Sequence, residues 1–283
     1  MRVLIAGCGY VGAALAARLV NAGHEVFALR RSDTQPAAGV HTIRADLSRA
    51  ATLSAVPDAI DSLFYTAAPD DQSESSYRAT YIDGLRNVLA ALKGPGPSRL
   101  LLTTSTAVYA QDAGEWVDED SPTEPGRFQG RILLESEALA RASGLTAITV
   151  RFGGIYGPGR TRLIDEVRRG AATIPDRPSY TNRIHRDDCA GVLAHLAELG
   201  APAGVYVGVD DDPADRRDVI TWLAARLGAP APRVEPLGGS REHGKRCRNA
   251  KLVATDFRFA YPSFRDGYAE MIAAMGLNSR VSG

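Results

Sequence analysis

Short apolar runs alternate with longer amphipathic stretches along the first half of the chain. The runs predict strands over residues 3–6, 25–29, 42–45, 62–66, 99–103 and 147–152. Between them, apolar residues recur at helical spacing and predict helices over residues 10–22, 75–92 and 132–142. Buried strands separated by such helices are typical of a parallel sheet covered on both faces. The pattern therefore predicts an α/β fold with a doubly wound parallel sheet and right-handed crossovers.

The pattern becomes less regular after Gly153. Residues 154–160 form a turn-rich segment, and residues 230–244 are rich in proline and glycine. Helices are predicted over residues 187–199 and 218–227, and a strand over residues 205–209. We therefore expect this half of the chain to contain a smaller lobe of mixed α/β structure.

Composition and charge narrow the classes of partner. The chain has 33 Lys+Arg and 33 Asp+Glu residues, so its formal net charge is zero and nothing predicts a nucleic-acid or anionic-membrane partner. No apolar run reaches the ~18 residues that indicate a membrane-spanning helix. The cysteines lack Cys-x-x-Cys spacing, which argues against a disulfide framework or a zinc site. We expect a cytoplasmic protein that acts on a small molecule and binds no metal.

A glycine motif, G-x-G-x-x-G, lies between the first predicted strand and the first predicted helix. Gly7 would allow a tight turn, Gly9 a close approach of the backbone to a pyrophosphate, and Gly12 close packing of helix on strand. The amides that follow, at Tyr10 and Val11, begin the helix, whose N-terminus favours an anion. The alternative is a purely structural glycine-rich turn. The motif predicts a Rossmann-type sheet that binds a dinucleotide.

Arg30 and Arg31 end the second predicted strand, about 20 residues after the first glycine, where dinucleotide-binding folds contact the adenosine ribose. An acidic residue at this point binds the 2′-hydroxyl of NAD, whereas an arginine accommodates the 2′-phosphate of NADP. The pair therefore favours NADP over NAD. The alternative is a solvated surface pair, because this chain uses arginine for nearly all its basic residues.

These motifs suggest a division of the chain into two parts. We expect residues 1–153 to form a dinucleotide-binding Rossmann domain to which residues 179–209 return. Residues 154–178 and 210–283 are expected to form the smaller substrate-binding lobe.

Five further strings occur in a fixed order: A-D-L at 45–47, Y-T-A-A at 65–68, T-T-S-T-A-V-Y at 103–109, R-F-G-G-I-Y-G-P-G at 151–159 and R-I-H-R-D-D-C-A at 183–190. With the glycine motif, they resemble the extended short-chain dehydrogenase/reductase superfamily, in its NAD(P)-dependent epimerase/dehydratase group. The resemblance spans nearly the whole chain. One departure is the shorter G-x-G-x-x-G, where that group commonly has G-x-x-G-x-x-G.

The resemblance implies site residues and an activity. It places Asp46 and Leu47 at the adenine, and Thr66, Ala67, Ala68 and Phe152 beside the cofactor. It gives Ser105 the catalytic hydroxyl that contacts a substrate carbonyl or hydroxyl group, although a strand-end serine can also simply satisfy backbone groups. The implied activity is that of an oxidoreductase or epimerase/dehydratase acting on a small carbonyl, hydroxyl or sugar-type substrate.

The proton donor of the group, the tyrosine of Tyr-x-x-x-Lys, has no counterpart in R-F-Q-G-R-I-L-L-E at 127–135. If Glu135 is matched to the glutamate that often follows the lysine by four, Arg131 stands at the lysine position and Arg127 at the tyrosine position. The chain therefore resembles the atypical members that keep the serine and lose the pair. Arg131 would hold the ribose or orient a substrate, or have no catalytic role, because arginine is a poor general acid.

Three functions remain open from the sequence. The first is an NADP-dependent oxidoreductase or epimerase-like enzyme that uses Ser105 and takes its proton from elsewhere. The second is a non-catalytic NADP(H)-binding redox sensor or regulatory protein. The third is a sugar-nucleotide epimerase with a relocated acid.

Two features concern the substrate and the oligomeric state, and both are compatible with all three functions. A basic stretch suits an anionic substrate or a solvated face, and comprises Arg160, Arg162, Arg168, Arg169, Arg183 and Arg186. The helices over residues 75–92 and 132–142 resemble a pair that forms a dimer contact in relatives, and by that analogy alone we expect a homodimer.

Overall fold

The computed structural model describes residues 1–94, 96–200, 202, 204–236 and 243–277. The chain divides into two compact units. The first comprises residues 1–110, 122–152 and 189–206, and the second comprises residues 111–121, 153–188 and 207–283. Residues 237–242 and 278–283 of the predicted smaller lobe lie outside the described residues.

The described strands, in chain order, are β1 Arg2–Ala6, β2 Glu25–Arg30, β3 Val40–Arg44, β4 Ser62–Tyr65, β5 Arg99–Ser105, β6 Ala113–Val117, β7 Thr146–Phe152, β8 Gly154–Tyr156, β9 Thr173–Pro175, β10 Arg183–His185, β11 Gly204–Gly208, β12 Arg233–Glu235 and β13 Gly244–Cys247. The described α-helices are α1 Tyr10–Asn21, α2 Glu74–Arg78, α3 Leu85–Ala91, α4 Phe128–Arg141, α5 Arg162–Arg168, α6 Arg186–Glu198, α7 Arg216–Leu227, α8 Ala250–Val253 and α9 Phe264–Ala274.

A seven-stranded sheet has the order β11-β7-β5-β4-β1-β2-β3. The pairs from β7 to β3 are all parallel, and β1 lies between β2 and β4, with Val3 opposite Val26 on one side and Ser62 on the other. Because the strand order reverses at β1, the carboxyl ends of β1, β2 and β4 border a switch point, where doubly wound sheets bind ligands. The predicted α/β fold with a parallel central sheet is confirmed.

Helices cover both faces of this sheet. On one face, Leu4 and Tyr65 pack in a core with Leu85 and Val88 of α3. On the other face, a β-carbon built on Gly12 of α1 would lie 3.3 Å from Ile5, so α1 packs directly on β1. Successive side chains of β1 therefore point to opposite faces of the sheet and pack in two separate apolar layers.

The predicted helix over residues 75–92 contains a change of pitch. A π-helical segment, Ala79–Gly84, separates α2 from α3. The Tyr65 hydroxyl donates to the Thr80 carbonyl oxygen at 2.5 Å, and a β-carbon on Gly84 would lie 2.5 Å from that hydroxyl oxygen. The buried tyrosine thus hydrogen-bonds within this segment, and the wider turn brings Gly84 against it.

The second unit is built from short elements. Three two-stranded parallel ladders pair β8 with β10, β9 with β12 and β6 with β13. Its core is formed by apolar side chains of α5, α7 and α9, namely Ile164, Val167, Val219, Ile220, Leu223, Phe264, Tyr268, Met271 and Ile272. The strands of these three ladders have three to five residues and contain no continuous apolar run, so the sequence does not predict them. Among the described residues, no helix is long and apolar enough to cross a membrane.

Asp210, just after β11, is a buried carboxyl group in the second unit. Its side chain is 1% exposed, and Oδ2 has no hydrogen-bond partner among the described residues. Oδ1 accepts from the Asp212 amide at 3.3 Å. Burial raises the pKa of Asp210 to about 8, although the Asp212 amide and Arg183 oppose the rise. Asp210 is therefore neutral in the folded chain near neutral pH, whereas it is ionised in the unfolded chain above about pH 4.

The Asp210→Asn substitution should stabilise the protein increasingly as the pH rises from about 4 to about 8. Because the folded pKa is raised, the wild-type protein has its full stability below the unfolded pKa of Asp210. It then loses stability as the pH rises from that value to the folded pKa. The asparagine amide does not titrate, so the variant has no such loss. We expect the variant to melt about 10 °C above wild type at pH 8.5 and at most about 3 °C above it at pH 4.5. Thermal unfolding measured at both pH values, with Asp212→Asn as the neighbouring control, tests this; an equal gap at both pH values would contradict it.

Candidate functional site

The turn after β1 is pressed against the ends of both neighbouring strands. Gly7 has φ +83°, and a β-carbon there would lie 2.4 Å from the Ala67 Cα atom. The amides of Gly7 and Cys8 donate to the Leu29 carbonyl oxygen at 3.2 and 3.1 Å. On the other side, the Thr66 hydroxyl donates to the Gly7 carbonyl oxygen at 3.0 Å. Since the contact with Ala67 is to backbone, any side chain at position 7 would force the two loops apart.

The other two glycines of the motif differ in how closely their surroundings approach. A β-carbon on Gly12 would lie 2.7 Å from the Thr66 hydroxyl oxygen, whereas one on Gly9 would meet only the Gly7 carbonyl oxygen, at 3.9 Å. Gly9 is the N-cap of α1, where no side chain caps the helix, and the first turn carries no acidic residue. Tyr10 and Val11 therefore begin a helix whose positive end suits a pyrophosphate.

The two arginines at the end of β2 are placed differently. Arg30 Nε is buried and has no hydrogen-bond partner among the described residues. Burial raises the pKa of the Cys8 thiol to about 11 while Arg30 opposes the rise, which puts the guanidinium within electrostatic reach of the glycine turn. Arg31, by contrast, is exposed and forms an ion pair with Asp70.

The predicted adenine-side residues make local contacts. Asp46 Oδ1 accepts from the Ser48 amide at 3.0 Å and from its hydroxyl at 2.7 Å, so Asp46 orders the turn after β3. The Leu47 carbonyl oxygen accepts from Asn87 Nδ2 at 2.9 Å. Asp46 also acts electrostatically on Arg31, so the ends of β2 and β3 lie close together. Ala68, in the loop after β4, is exposed.

Ser105 is the last residue of β5 and lies opposite Phe152, the buried last residue of β7. Its Oγ accepts from the Ala107 amide at 3.2 Å and caps the short 3-10 turn that follows. A hydroxyl oxygen that accepts in this way still has its own proton to donate. The structure therefore gives Ser105 a backbone role that remains compatible with donation to a substrate.

A buried ion pair holds side chains on both sides of Ser105. Arg151 of β7 donates to Glu137 of α4 through Nε at 3.0 Å and Nη2 at 2.7 Å, with Glu137 fully buried. The Thr104 hydroxyl donates to Glu137 Oε1 at 3.0 Å, and Arg151 Nη1 donates to the Tyr109 hydroxyl at 3.0 Å. Burial opposes the charge of Arg151, but the hydrogen bonds from Glu137 and Tyr109 outweigh it and raise the pKa of Arg151.

The start of α4 is packed on the same turn. A β-carbon on Gly130 would lie 2.6 Å from the Ala107 carbonyl oxygen, so the helix touches the backbone just beyond Ser105. Sequence reasoning did not find Glu137 and Arg151 as a pair. A signal was available, because Gly130, Leu133, Glu137 and Ala140 share one face at helical spacing, which puts a glutamate on the buried side of α4.

Arg131 lies on the other side of α4. It is exposed, and its Nη1 donates to the Gly126 carbonyl oxygen at 2.8 Å. Glu135, used as the reference for the tyrosine and lysine positions, pairs with Arg78 at the surface at 3.1 Å. The described contacts thus do not bring Arg131 to Ser105, and its catalytic role stays a prediction.

The basic stretch of the second unit is partly neutralised. Arg162 pairs with Glu166 at 2.7 Å, and Arg186 pairs with Asp187 at 2.8 Å. Within the described ranges, no group of three or more His, Cys, Asp or Glu side chains is placed to hold a metal ion. The helices of the expected dimer contact, α2 and α4, pack on each other through Tyr77 and Phe128, whose ring centroids are 5.6 Å apart.

Comparison with known proteins agrees with this geometry. The model of the NAD dependent epimerase/dehydratase family matches residues 3–178. The 3-diazoavenalumate denitrifying reductase of a Streptomyces species is 30% identical over an alignment of 303 residues, which covers 94% of this chain and 99% of that protein.

Two solved structures extend the comparison. A Methylobacillus flagellatus protein assigned to the NAD-dependent epimerases/dehydratases superposes with a TM-score of 0.83 at 39% identity, covering 97% of this chain and 98% of that one. The human epimerase family protein SDR39U1 with NADPH superposes with a TM-score of 0.79 at 22% identity, covering 96% and 99%, and shows the shared fold. Because the family model matches more than half of its length and a 30% identical relative aligns along 94% of it, this chain belongs to the NAD-dependent epimerase/dehydratase family.

Proposed function

We propose that this protein is an oxidoreductase that prefers NADP(H) and interconverts a small carbonyl compound with the corresponding hydroxyl compound. The observation that carries the proposal is the bare turn at Gly7, Gly9 and Gly12, closed against Thr66 and Ala67 and followed by an uncapped helix start. The reductase name of the Streptomyces relative supports the direction of the chemistry.

The cofactor would be held by groups that the described contacts leave suited to it. The glycine turn and the first turn of α1 would hold the pyrophosphate, because backbone amides there meet an anion without side-chain interference. Arg30 would hold the 2′-phosphate, since its buried Nε has no hydrogen-bond partner among the described residues. Such a cofactor, when bound, supplies or accepts a hydride.

Ser105 would polarise the substrate. Its Oγ is oriented by the Ala107 amide, which leaves the hydroxyl proton for a substrate oxygen. The Glu137–Arg151 pair holds the side chains of Thr104, directly before Ser105, and of Tyr109, four residues after it, so the hydroxyl would be positioned before the substrate arrives. A preorganised donor of this kind stabilises charge that develops on a carbonyl oxygen.

The proton for that oxygen would come from water or from the substrate. Residues 110–155 contain no tyrosine or lysine. If the buried Glu137 replaces Glu135 as the reference, Gln129 and Leu133 stand at the tyrosine and lysine positions, and neither side chain is an acid or a base. Neither alignment of the Tyr-x-x-x-Lys motif with α4 therefore places a proton donor at the tyrosine position.

A non-catalytic NADP(H) sensor is the second candidate. It is favoured by the contacts that the two candidate catalytic groups already make, Ser105 with the Ala107 amide and Arg131 with the Gly126 carbonyl oxygen. A sensor of this kind would bind the dinucleotide tightly and turn over no substrate.

The Ser105→Ala substitution should lower the rate of NADPH-dependent reduction about 100-fold or more, because it removes the hydrogen bond to the developing negative charge. NADPH binding should stay within about twofold of wild type, since Ser105 is not assigned to the cofactor. Absorbance at the NADPH band with a panel of aldehydes, ketones and sugar substrates measures the rate, and Ser143→Ala, at the far end of α4, is the control. If wild type binds NADPH but shows no more turnover than Ser105→Ala with any substrate, the enzyme hypothesis is wrong and the sensor hypothesis is favoured.

The Arg30→Ala substitution should weaken NADPH binding about 10- to 100-fold, the size expected for losing a charge-assisted hydrogen bond. NADH binding should change no more than about threefold, because NADH has no 2′-phosphate. Isothermal titration of both dinucleotides measures this. Arg44→Ala, which removes an exposed arginine of the adjacent strand β3, is the matched control. Equal weakening of NADPH and NADH would rule out the assigned role of Arg30.

A further inference from the structure

We infer that Asp70 competes with the 2′-phosphate of NADP(H) for the guanidinium of Arg31, and thereby sets how strongly the protein discriminates NADP(H) from NAD(H). The inference rests on the proposed dinucleotide function and adds to it a residue that no sequence motif indicates. It follows from where the Arg31–Asp70 ion pair lies, how it is formed and how exposed it is.

The ion pair joins the two loops that border the glycine turn. Arg31 follows β2, and Asp70 lies in the loop after β4, while β1 runs between these strands. Two strand spacings amount to about 10 Å, a distance that two facing side chains bridge. The Gly7 amide is tied to Leu29 of β2 and the Gly7 carbonyl oxygen to Thr66 just after β4. The pair therefore crosses the edge of the sheet at which the dinucleotide would lie.

The contact uses the part of arginine that recognises phosphate. Arg31 Nη1 donates to Asp70 Oδ2 and Nη2 donates to Asp70 Oδ1, both at 2.5 Å. A phosphate group binds a guanidinium through the same kind of two-pronged arrangement. The carboxylate and a 2′-phosphate thus cannot both bind the end-on edge that the Nη1 and Nη2 atoms of Arg31 form together.

Replacing the Asp70 carboxylate by a 2′-phosphate on Arg31 costs little free energy. The side chains of Arg31 and Asp70 are 64% and 60% exposed, and exposed ion pairs contribute little to stability. Asp70 stays ionised near neutral pH, because its hydrogen bond with Arg31 holds the pKa of the carboxyl group below its usual value. A phosphate monoester carries almost twice the charge of a carboxylate, so it displaces Asp70, whereas a ribose hydroxyl does not.

Other charged groups set the background for this exchange. Asp46 also acts on Arg31, and it has its own contacts with Ser48. Asp70 is anchored by its amide, which donates to the Ser76 hydroxyl oxygen of α2 at 3.1 Å. Its carboxylate therefore stays near the sheet edge when Arg31 turns to a phosphate. Arg30 would bind the 2′-phosphate in any case, and Asp70 adjusts the added contribution of Arg31.

The adjacent residue Asp71 provides a matched control. Its carboxylate accepts from the Ser73 amide at 2.8 Å, and the residue is exposed. Asp70→Asn and Asp71→Asn therefore remove the same charge from neighbouring positions of one loop, but only the first frees Arg31.

Isothermal titration of NADPH and NADH into wild type and both variants tests the inference. At low ionic strength, Asp70→Asn should tighten NADPH binding about five- to tenfold, with the gain shrinking as added salt screens the charges. NADH binding should change less than about twofold, and Asp71→Asn should resemble wild type with both dinucleotides. In the double variant Arg31→Ala/Asp70→Asn, compared with Arg31→Ala, the gain should fall to about twofold or less, because Asp70 acts through Arg31.

Several results would overturn the inference while leaving the proposed function in place. These are NADPH binding that is unchanged or weaker in Asp70→Asn, equal tightening in Asp71→Asn, or a full gain in the Arg31→Ala background. If wild type and variants bind neither dinucleotide, the proposed function fails and the inference fails with it. Melting temperatures of both single variants, expected within about 2 °C of wild type for surface changes, separate binding effects from misfolding.

Discussion

The buried ion pair between Glu137 and Arg151 is the interaction that holds the carboxyl end of β5 to β7 and α4. It joins β7 to α4, and through Thr104 and Tyr109 it fixes the residues on both sides of Ser105. Breaking one partner of such a pair typically costs about 3–5 kcal/mol, because a buried charge is left alone. In the function we propose, this pair helps to position Ser105, at the end of a strand, as a hydrogen-bond donor.

The cofactor side depends on a different constraint, the absence of side chains. Gly7 and Gly12 let the ends of β1, β4 and α1 approach closely, because Gly7 lies against the Ala67 backbone and Gly12 against the Thr66 hydroxyl. The surface thus formed carries amides and a positive helix end, and the charged side chains stand around it at Arg30, Arg31 and Asp70. In the function we propose, phosphate recognition and substrate polarisation therefore use separate parts of one parallel sheet.

Much of the fold is predictable from the sequence, and the limits have physical causes. Apolar runs and helical spacing predict the parallel sheet, whereas the pitch change at Ala79–Gly84 depends on the tertiary contact with Tyr65 and leaves no local pattern. At the site, the spacing of the three glycines predicts the turn after β1. No such pattern distinguishes Glu135 from Glu137, because two glutamates on one helix differ only in which one the fold buries. Likewise, only the structure shows that Arg31 faces an acid while Arg30 Nε meets no partner among the described residues.

A crystal structure of the protein with NADPH and a bound carbonyl compound would test the assigned roles of the glycine turn and of Ser105 together. We expect the pyrophosphate on the amides at the start of α1, the 2′-phosphate on Arg30, and the substrate carbonyl oxygen, beside the C4 atom of the nicotinamide, within ~3.2 Å of the Ser105 hydroxyl. A dinucleotide bound away from Gly7 and Gly9, or a nicotinamide that leaves Ser105 outside hydrogen-bond reach of any substrate oxygen, would contradict the assigned roles.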